Sequence, residues 1–355
     1  MAVLSHGIGK ILVVNAGSMS LKLSVVTDED SSARVESLDQ TPHDVRAVAH
    51  RVVQGGARFR EPVVLDNTVL AELQALTELA PLHNAPALAA IDQARRALPD
   101  IPHVAVFDTA FHATIPEDAA VDAVPARWRE EWGIRRYGFH GLSVQWAAER
   151  MPVPRLVVCH LGGGCSVTAV SDGRSVDTTM GFSPLDGIPM TTRSGAIDPE
   201  IVLHLLRKRR LGIEELEHAL EHESGLLGLS NVSGAVEDLE RSADPAARFA
   251  LAVFARRVAG AVASMASSLG GLDALVFTGG IGENSSFVRA AVCDRLRFLG
   301  VHLDADRNAQ AQPDAQIAET GSPVRAVVLH AQEDIVAARA ARGVLLTRAH
   351  RGDTH

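Results

Sequence analysis

Four charged side chains stand where apolar runs meet glycine. Arg51 lies in His50-Arg-Val-Val-Gln-Gly-Gly56, ahead of an apolar pair and a double glycine. Asp108 follows the apolar run Val104-Ala-Val-Phe107 and opens Asp108-Thr-Ala-Phe-His112. That puts it at the C-terminal end of a buried strand, where α/β folds place ligand chemistry. His140 sits in Arg136-Tyr-Gly-Phe-His-Gly-Leu-Ser143, and Arg193 in Met190-Thr-Thr-Arg-Ser-Gly-Ala-Ile-Asp198. Arginine and histidine donors beside small apolar residues suit the recognition of small anions.

Three small-residue turns add a capacity for phosphate: Asn15-Ala-Gly-Ser-Met-Ser20, Leu161-Gly-Gly-Gly-Cys165 and Thr278-Gly-Gly-Ile-Gly-Glu-Asn284. Backbone N–H groups reach phosphate only where side chains stay out of the way. Each turn follows an apolar run, and the third also leads into a helical pattern, whose N-terminus favours anions. Taken singly, every one of these features has a plainer reading. A Gly/Ser turn is more often only a turn, and a lone charged residue is a surface ion pair or a helix cap. Asp198 before Pro199 reads as an N-cap. His50, His83 and His112 suit structural roles. Lys22 is not a Walker lysine, because GxxxxGK[ST] is absent, and it also reads as a hairpin surface charge.

The elements that must position these residues follow from apolar periodicity. Residues 11–14 and 21–26 read as two strands of a hairpin around the first turn. The same design returns near mid-chain, with strands at 156–159 and 166–170 around a glycine turn and a tight turn at Asp172-Gly173. This weak internal repeat suggests two related halves. Helices are expected at 68–79, 87–98, 199–210, 246–269, 285–298 and 334–346, and further strands at 104–107, 272–278 and 326–329, with 279–284 as a turn. Strands alternating with helices, plus hairpins, indicate a mixed α/β fold.

Composition narrows the classes. A chain of 355 residues suggests two domains. The hydrophobic fraction of 46% and charged fraction of 22% are those of a globular protein. A formal net charge of -9 argues against nucleic-acid or anionic-membrane partners, which need a dense basic surface. The three cysteines, Cys159, Cys165 and Cys293, are odd in number and lack metal-like spacing, which fits a reducing cytoplasm. No signal-peptide pattern opens the chain, and no apolar run is expected to reach membrane-spanning length.

Read together, the segments resemble one family. The first turn through Lys22, the His50 and Asp108 segments, Leu79-Ala-Pro-Leu-His-Asn84, Arg135-Arg-Tyr-Gly-Phe-His-Gly141, Ser175-Val-Asp-Thr-Thr-Met-Gly-Phe182, Thr192-Arg-Ser-Gly195, Ser224-Gly-Leu-Leu-Gly-Leu229 and Phe277-Thr-Gly-Gly-Ile-Gly-Glu-Asn-Ser285 are similar to acetate kinase motifs. They occur in that family's order over nearly the whole chain. The resemblance implies a fold of two similar actin-like (ribonuclease H-like) α/β domains with an interdomain active-site cleft, usually in a homodimer. It places the first domain at 1–112 plus a returning helix at 335–355, and the second at 113–334.

The activity implied is reversible phosphoryl transfer from ATP to acetate, giving acetyl phosphate and ADP, with Mg2+ or Mn2+ as cofactor. By resemblance, Asp108, Arg51, His140 and Arg193 are catalytic. Arg51, Val53, Leu82, Phe139 and Pro184 bind the acid. Asn15, Ser18, Ser20, Lys22, His160, Gly162, Gly163, Gly164, Gly280, Ile281, Gly282, Glu283 and Asn284 bind nucleotide or phosphate, and Asn15 and Glu333 associate with the metal. Propionate or butyrate as acceptor, and a donor other than ATP, remain open alternatives. So does a non-catalytic nucleotide-binding regulator. The departures from the family pattern lie mostly on the donor side. Gly163 stands where asparagine is usual, Ala235 and Glu237 where aspartate and arginine are usual, and Val144 where a second histidine is usual.

Overall fold

The computed structural model describes residues 8–16, 21–79 and 81–352, with side chains left out at 78, 79, 81–83 and 349–352. The chain divides into two compact units, one of Met1–Ala113, Phe139–Trp146 and Gln332–His355, the other of Thr114–Gly138 and Ala147–Ala331. This division gives the first unit residues 113, 139–146 and 332–334, beyond the boundaries expected from the sequence.

The first unit is built on strands β1 (Lys10–Ala16), β2 (Leu21–Val26), β3 (Ser32–Val35), β4 (Val45–Val52), β5 (Val63–Val64) and β6 (His103–Phe107). They form one sheet in the order β3-β2-β1-β4-β6-β5. The first three strands are an antiparallel meander, β4 and β6 run parallel to β1, and β5 pairs antiparallel with β6. The second unit repeats this plan with β7 (Arg155–Leu161), β8 (Cys165–Ser171), β9 (Arg174–Thr178), β10 (Ala274–Thr278), β11 (Ala315–Gln316) and β12 (Arg325–Val328). Its order is β11-β12-β10-β7-β8-β9, again a meander followed by two parallel strands and an antiparallel edge. The repeat sensed in the sequence is thus a repeat of topology, strand for strand.

Alternation of side chains along the strands decides what each sheet face carries. In the first unit Ile11, Val13, Ala47, Ala49, Val104 and Val106 pack with Leu142, Trp146, Ile335 and Ala338 in one cluster. Leu12, Val14, Val45 and Val48 face a second cluster with Ala90 and Ala94 of the helix Pro81–Ala97. Both faces are buried, as continuous apolar parallel strands require. Counting on by twos, Asn15, Arg51 and Asp108 fall on the face covered by the closing helix Glu333–Gly352.

In the second unit the helix Pro245–Ser268 buries ten residues and packs on β7 and β8. Its length and hydropathy would suffice to cross a membrane, contrary to expectation. The sequence hid this because Arg256 and Arg257 interrupt the apolar run on the exposed side. Residues 279–284, expected as a turn, form a short helix, Gly279–Asn284. The following helix is Ser286–Asp294, shorter than expected, with Ser285 as N-cap through its hydroxyl to Val288 N. Asp198 caps the helix Pro199–Arg207 as expected.

Arg289 holds the short helix from its C-terminal side. It is 1% exposed. Its Nη1 donates to the Gly282 and Glu283 carbonyls at 2.9 and 2.8 Å, while Nε and Nη2 donate to Asn308 Oδ1 and O at 2.8 and 2.9 Å. The carbonyls at a helix end lack intrahelical partners, and here a guanidinium supplies them. Arg289→Ala should strand these acceptors and lower stability by about 3 kcal/mol or more, read by urea unfolding. A loss below about 1 kcal/mol would show that water replaces the guanidinium without cost.

Candidate functional site

The register of β1, β4 and β6 assembles a polar cluster in the first unit. Asn15 pairs with Arg51 across β1 and β4. Asp108 directly follows β6, and its N–H donates to the Val52 carbonyl at 3.1 Å. Arg51 Nε donates to Asp108 Oδ1 at 2.9 Å and Nη2 to Oδ2 at 2.6 Å, a bidentate pair. Its Nη1 reaches Asn15 Oδ1 at 3.2 Å and Glu333 Oε2 at 3.1 Å. Glu333 is the first residue of the closing helix. Four residues far apart in sequence therefore meet at the carboxyl ends of parallel strands.

The Asp108 side chain is 1% exposed, against 17% for Arg51 and 19% for Glu333. Burial disfavours the Arg51 charge, but the Asp108 and Glu333 carboxylates outweigh it and raise the guanidinium further above its ordinary value. Burial pushes the Asp108 carboxyl up, the Arg51 guanidinium opposes this, Glu333 adds to it, and the His140 backbone N–H favours the ionised form.

Three hard oxygen donors, on Asn15, Asp108 and Glu333, converge on this one point. That donor set fits Mg2+, which binds through one or two carboxylates and keeps other positions for water and phosphate. Among the described residues, no group of three or more His, Cys, Asp or Glu side chains could hold a metal alone.

His140 is held by the segment that carries Asp108. Gly141 N donates to Asp108 O at 3.0 Å. The approach is so close that a Cβ on Gly141 would lie 2.0 Å from that oxygen, so only glycine fits. His140 itself has φ 59°, a left-handed conformation that marks functional sites when the surroundings enforce it. His112 supplies part of that enforcement, with Nε2 donating to the Phe139 carbonyl at 2.8 Å. The carbonyl can only accept, so the proton is on Nε2. In the sequence alone His112 suits a structural role. Its only signal was its place four residues after Asp108, one helical turn on.

Val53 is half-buried and Phe139 buried in this unit, and Lys22 is exposed opposite Asn15. Ser18 and Ser20 lie outside the described residues, as does the side chain of Leu82.

In the second unit a cavity of about 500 Å³ is lined by Gly162, Gly163, Thr191, Ala235, Val236, Glu237, Glu240, Gly280, Ile281, Asn284 and Ser285. Two of the glycine-rich segments flagged in the sequence therefore share one wall. A Cβ at Gly163 would meet nothing within 4 Å, so no protein atom excludes a side chain there. Thr191 Oγ1 donates to the Gly163 carbonyl at 3.1 Å and steadies the loop. Glu240 accepts from Ser285 Oγ at 2.5 Å, and Glu237 pairs with Arg241. Thr191, Val236, Glu240 and Ser285 were not anticipated, since nothing local in the sequence marks them as lining.

Gly164, Gly282 and Glu283 are absent from that lining. His160 is the last residue but one of β7, half-buried, beside the glycine loop. Pro184 is buried in this unit. Arg193 is half-buried; burial lowers its guanidinium pKa, against the Glu221 carboxylate and Cys165.

A sequence model of the acetokinase family matches residues 32–339. An acetate kinase of Deinococcus deserti is 49% identical over 316 residues, covering 85% of this chain and 78% of the relative. The crystal structure of a propionate kinase from Francisella tularensis superposes with a TM-score of 0.87 at 32% identity, covering 94% of this chain and 98% of that one. That of the Porphyromonas gingivalis acetate kinase gives 0.84 at 28% identity, covering 95% and 100%.

Burial drives the His112 pKa down to about 4. The unfolded chain takes up that proton near the ordinary pKa of about 6.5, and the folded protein does not until about pH 4. The stability from this group is therefore complete above pH 6.5 and drains away as pH falls toward 4, by up to about 3 kcal/mol. His112→Gln keeps a donor but cannot titrate. Its stability should fall less steeply across that window, by about 1.4 kcal/mol per pH unit at most. Parallel curves for the two proteins in chemical unfolding would exclude a neutral buried His112.

Proposed function

The chain belongs to the acetokinase family, and on that premise we infer that it is an acetate kinase, transferring the γ-phosphoryl group of ATP to the carboxylate of acetate to give acetyl phosphate and ADP. The observation that carries the reading is the cluster of Asn15, Arg51, Asp108 and Glu333 at the strand ends of the first unit. It supplies what this reaction lacks without an enzyme.

Acetate is ionised near neutral pH, so the nucleophile needs no general base. The obstacle is the approach of one anion to another. Phosphoryl transfer of this kind is catalysed almost wholly by positioning and by charge stabilisation. Asp108 takes Nε and one Nη2 hydrogen of Arg51, and Asn15 and Glu333 take Nη1. Among the described residues that leaves one Nη2 hydrogen to orient a substrate oxygen, from a guanidinium held by three side chains. Mg2+, held by Asp108, Glu333 and Asn15 in part through water, would neutralise phosphate charge when bound with the nucleotide. Arg193 and His140 donate to the oxygens on which charge builds during transfer. Val53, Phe139 and Pro184 give the methyl group apolar contact.

The cavity bounded by the 162–163 and 280–284 segments suits the nucleotide. Among the described residues no lysine, arginine or histidine lines it, whereas Glu237 and Glu240 do, so it favours an uncharged nucleoside over inorganic pyrophosphate. That supports ATP as donor despite the Ala235 and Glu237 departures. The likeness to a propionate kinase keeps that acid as a slower substrate. One methylene changes selectivity by only about 1–3 kcal/mol.

Acyl phosphate trapped as the hydroxamate, with acetate, Mg2+ and either ATP, GTP or pyrophosphate, tests this reading. ATP should support turnover and pyrophosphate should not. Arg193→Ala should lose about a hundredfold or more in kcat. Acyl phosphate from pyrophosphate alone would overturn the donor assignment, and near-normal turnover in Arg193→Ala would overturn the role of that residue.

A further inference from the structure

Glu283 was expected to touch the nucleotide, yet its carboxylate is fully engaged elsewhere. Its Oε1 accepts from the Gly279 N–H at 3.0 Å and from the Ala331 N–H at 3.0 Å. Its Oε2 lies 2.6 Å from His330 Nδ1, which must therefore carry the proton. The side chain is 11% exposed and does not line the cavity, whereas its neighbours Gly280, Ile281 and Asn284 do.

The short helix Gly279–Asn284 cannot hold itself in place. Six residues are far below the length at which a helix is stable alone. Gly279 has φ +78°, and a Cβ there would lie 2.8 Å from the Leu161 carbonyl. The helix thus starts jammed against the last residue of β7, where the Gly162–Gly163 wall begins. Arg289 grips its carbonyl end. At its amide end the one side chain bonded to Gly279 N–H, among the described residues, is Glu283.

We propose that Glu283 is a positioning residue for the nucleotide wall: its carboxylate fastens the first amide of the 279–284 helix to residues 330 and 331, and so sets where Gly280, Ile281 and Asn284 stand. His330 completes the latch from the side facing solvent. The backbone of that residue is itself tied to Asp314 Oδ1 at 2.9 Å, and Asp314 in turn pairs with Arg150 at 3.2 Å. The anchor therefore belongs to the body of the second unit. The latch works by geometry and not by charge on the ligand, which separates it from a nucleotide contact.

This inference rests on the cavity being the nucleotide site, so the test reads ADP binding directly, by titration calorimetry without acetate. Thermal unfolding is followed in parallel. Glu283→Ala should weaken ADP binding about tenfold and raise the nucleotide KM in step, with the acetate KM changed less than about twofold. Glu283→Gln keeps an oxygen for both amides, and its amide N–H can face His330 in the other tautomer. It should bind ADP within about threefold of the parent. Should Glu283→Ala fail to fold, Glu283→Gln carries the test alone: affinity within that range supports the latch, and a loss of about tenfold overturns it in favour of a charge contact. Unchanged ADP affinity in a folded Glu283→Ala also overturns it. A parent protein that does not bind ADP overturns the nucleotide reading beneath it.

Discussion

Arg51 is a cation placed where little water can solvate it, and the carboxylates that keep it charged also decide where it points. Removing a guanidinium from water costs several kcal/mol unless close, well-aligned anions replace the hydration. Asp108 does so in two parallel hydrogen bonds, and Glu333 and Asn15 take the remaining edge. These partners come from the two strands that flank β4, β1 and the end of β6, and from the first turn of the closing helix. The sheet register, the helix start and the charge of the site are consequently one constraint. A shift of β4 by one residue would carry Arg51 to the other sheet face, into the apolar surroundings of Val48 and Ala90.

The same sheet plan serves different ends in the two units. In the first, the ends of parallel strands present charged side chains. In the second, the strand ends lead into glycine turns and a short helix, and the cavity wall is largely backbone and small side chains. That helix is too short to be self-supporting, so Arg289 and Glu283 hold its two ends. Arg193 adds a guanidinium whose burial is opposed by Glu221. In the proposed reaction positive charge serves the acceptor and the moving phosphoryl group, while the cavity proposed for the nucleoside has no cation among its described lining residues.

Much of the fold was legible because apolar alternation and small-residue turns are local signals. The runs at 11–14, 104–107 and 156–159 became buried strands, and the hairpin repeat became a full topological repeat. The 279–284 segment was misread as a turn because its glycines disfavour helix locally, while Arg289 and Glu283, which make a helix tolerable there, act through tertiary contacts. Arg51 and Asp108 stand out locally, as charges where apolar runs meet glycine, whereas Glu333 is legible only through family resemblance; no spacing rule brings residues 51, 108 and 333 together. His112 was passed over because its role depends on the Phe139 carbonyl, distant in sequence. Glu283 was assigned by its motif, and only its hydrogen bonds reveal that it faces away from the cavity.

In the proposed reaction a carboxylate oxygen of acetate attacks the γ-phosphorus of ATP. Acetate labelled with 18O in both oxygens tests it most directly, with the product followed by 31P NMR. Direct attack makes that oxygen the bridge of acetyl phosphate, so the phosphorus signal should show the isotope shift of one bonded 18O. Acetyl phosphate with an unshifted phosphorus would mean that the bridging oxygen came from the donor, and would exclude direct attack by acetate.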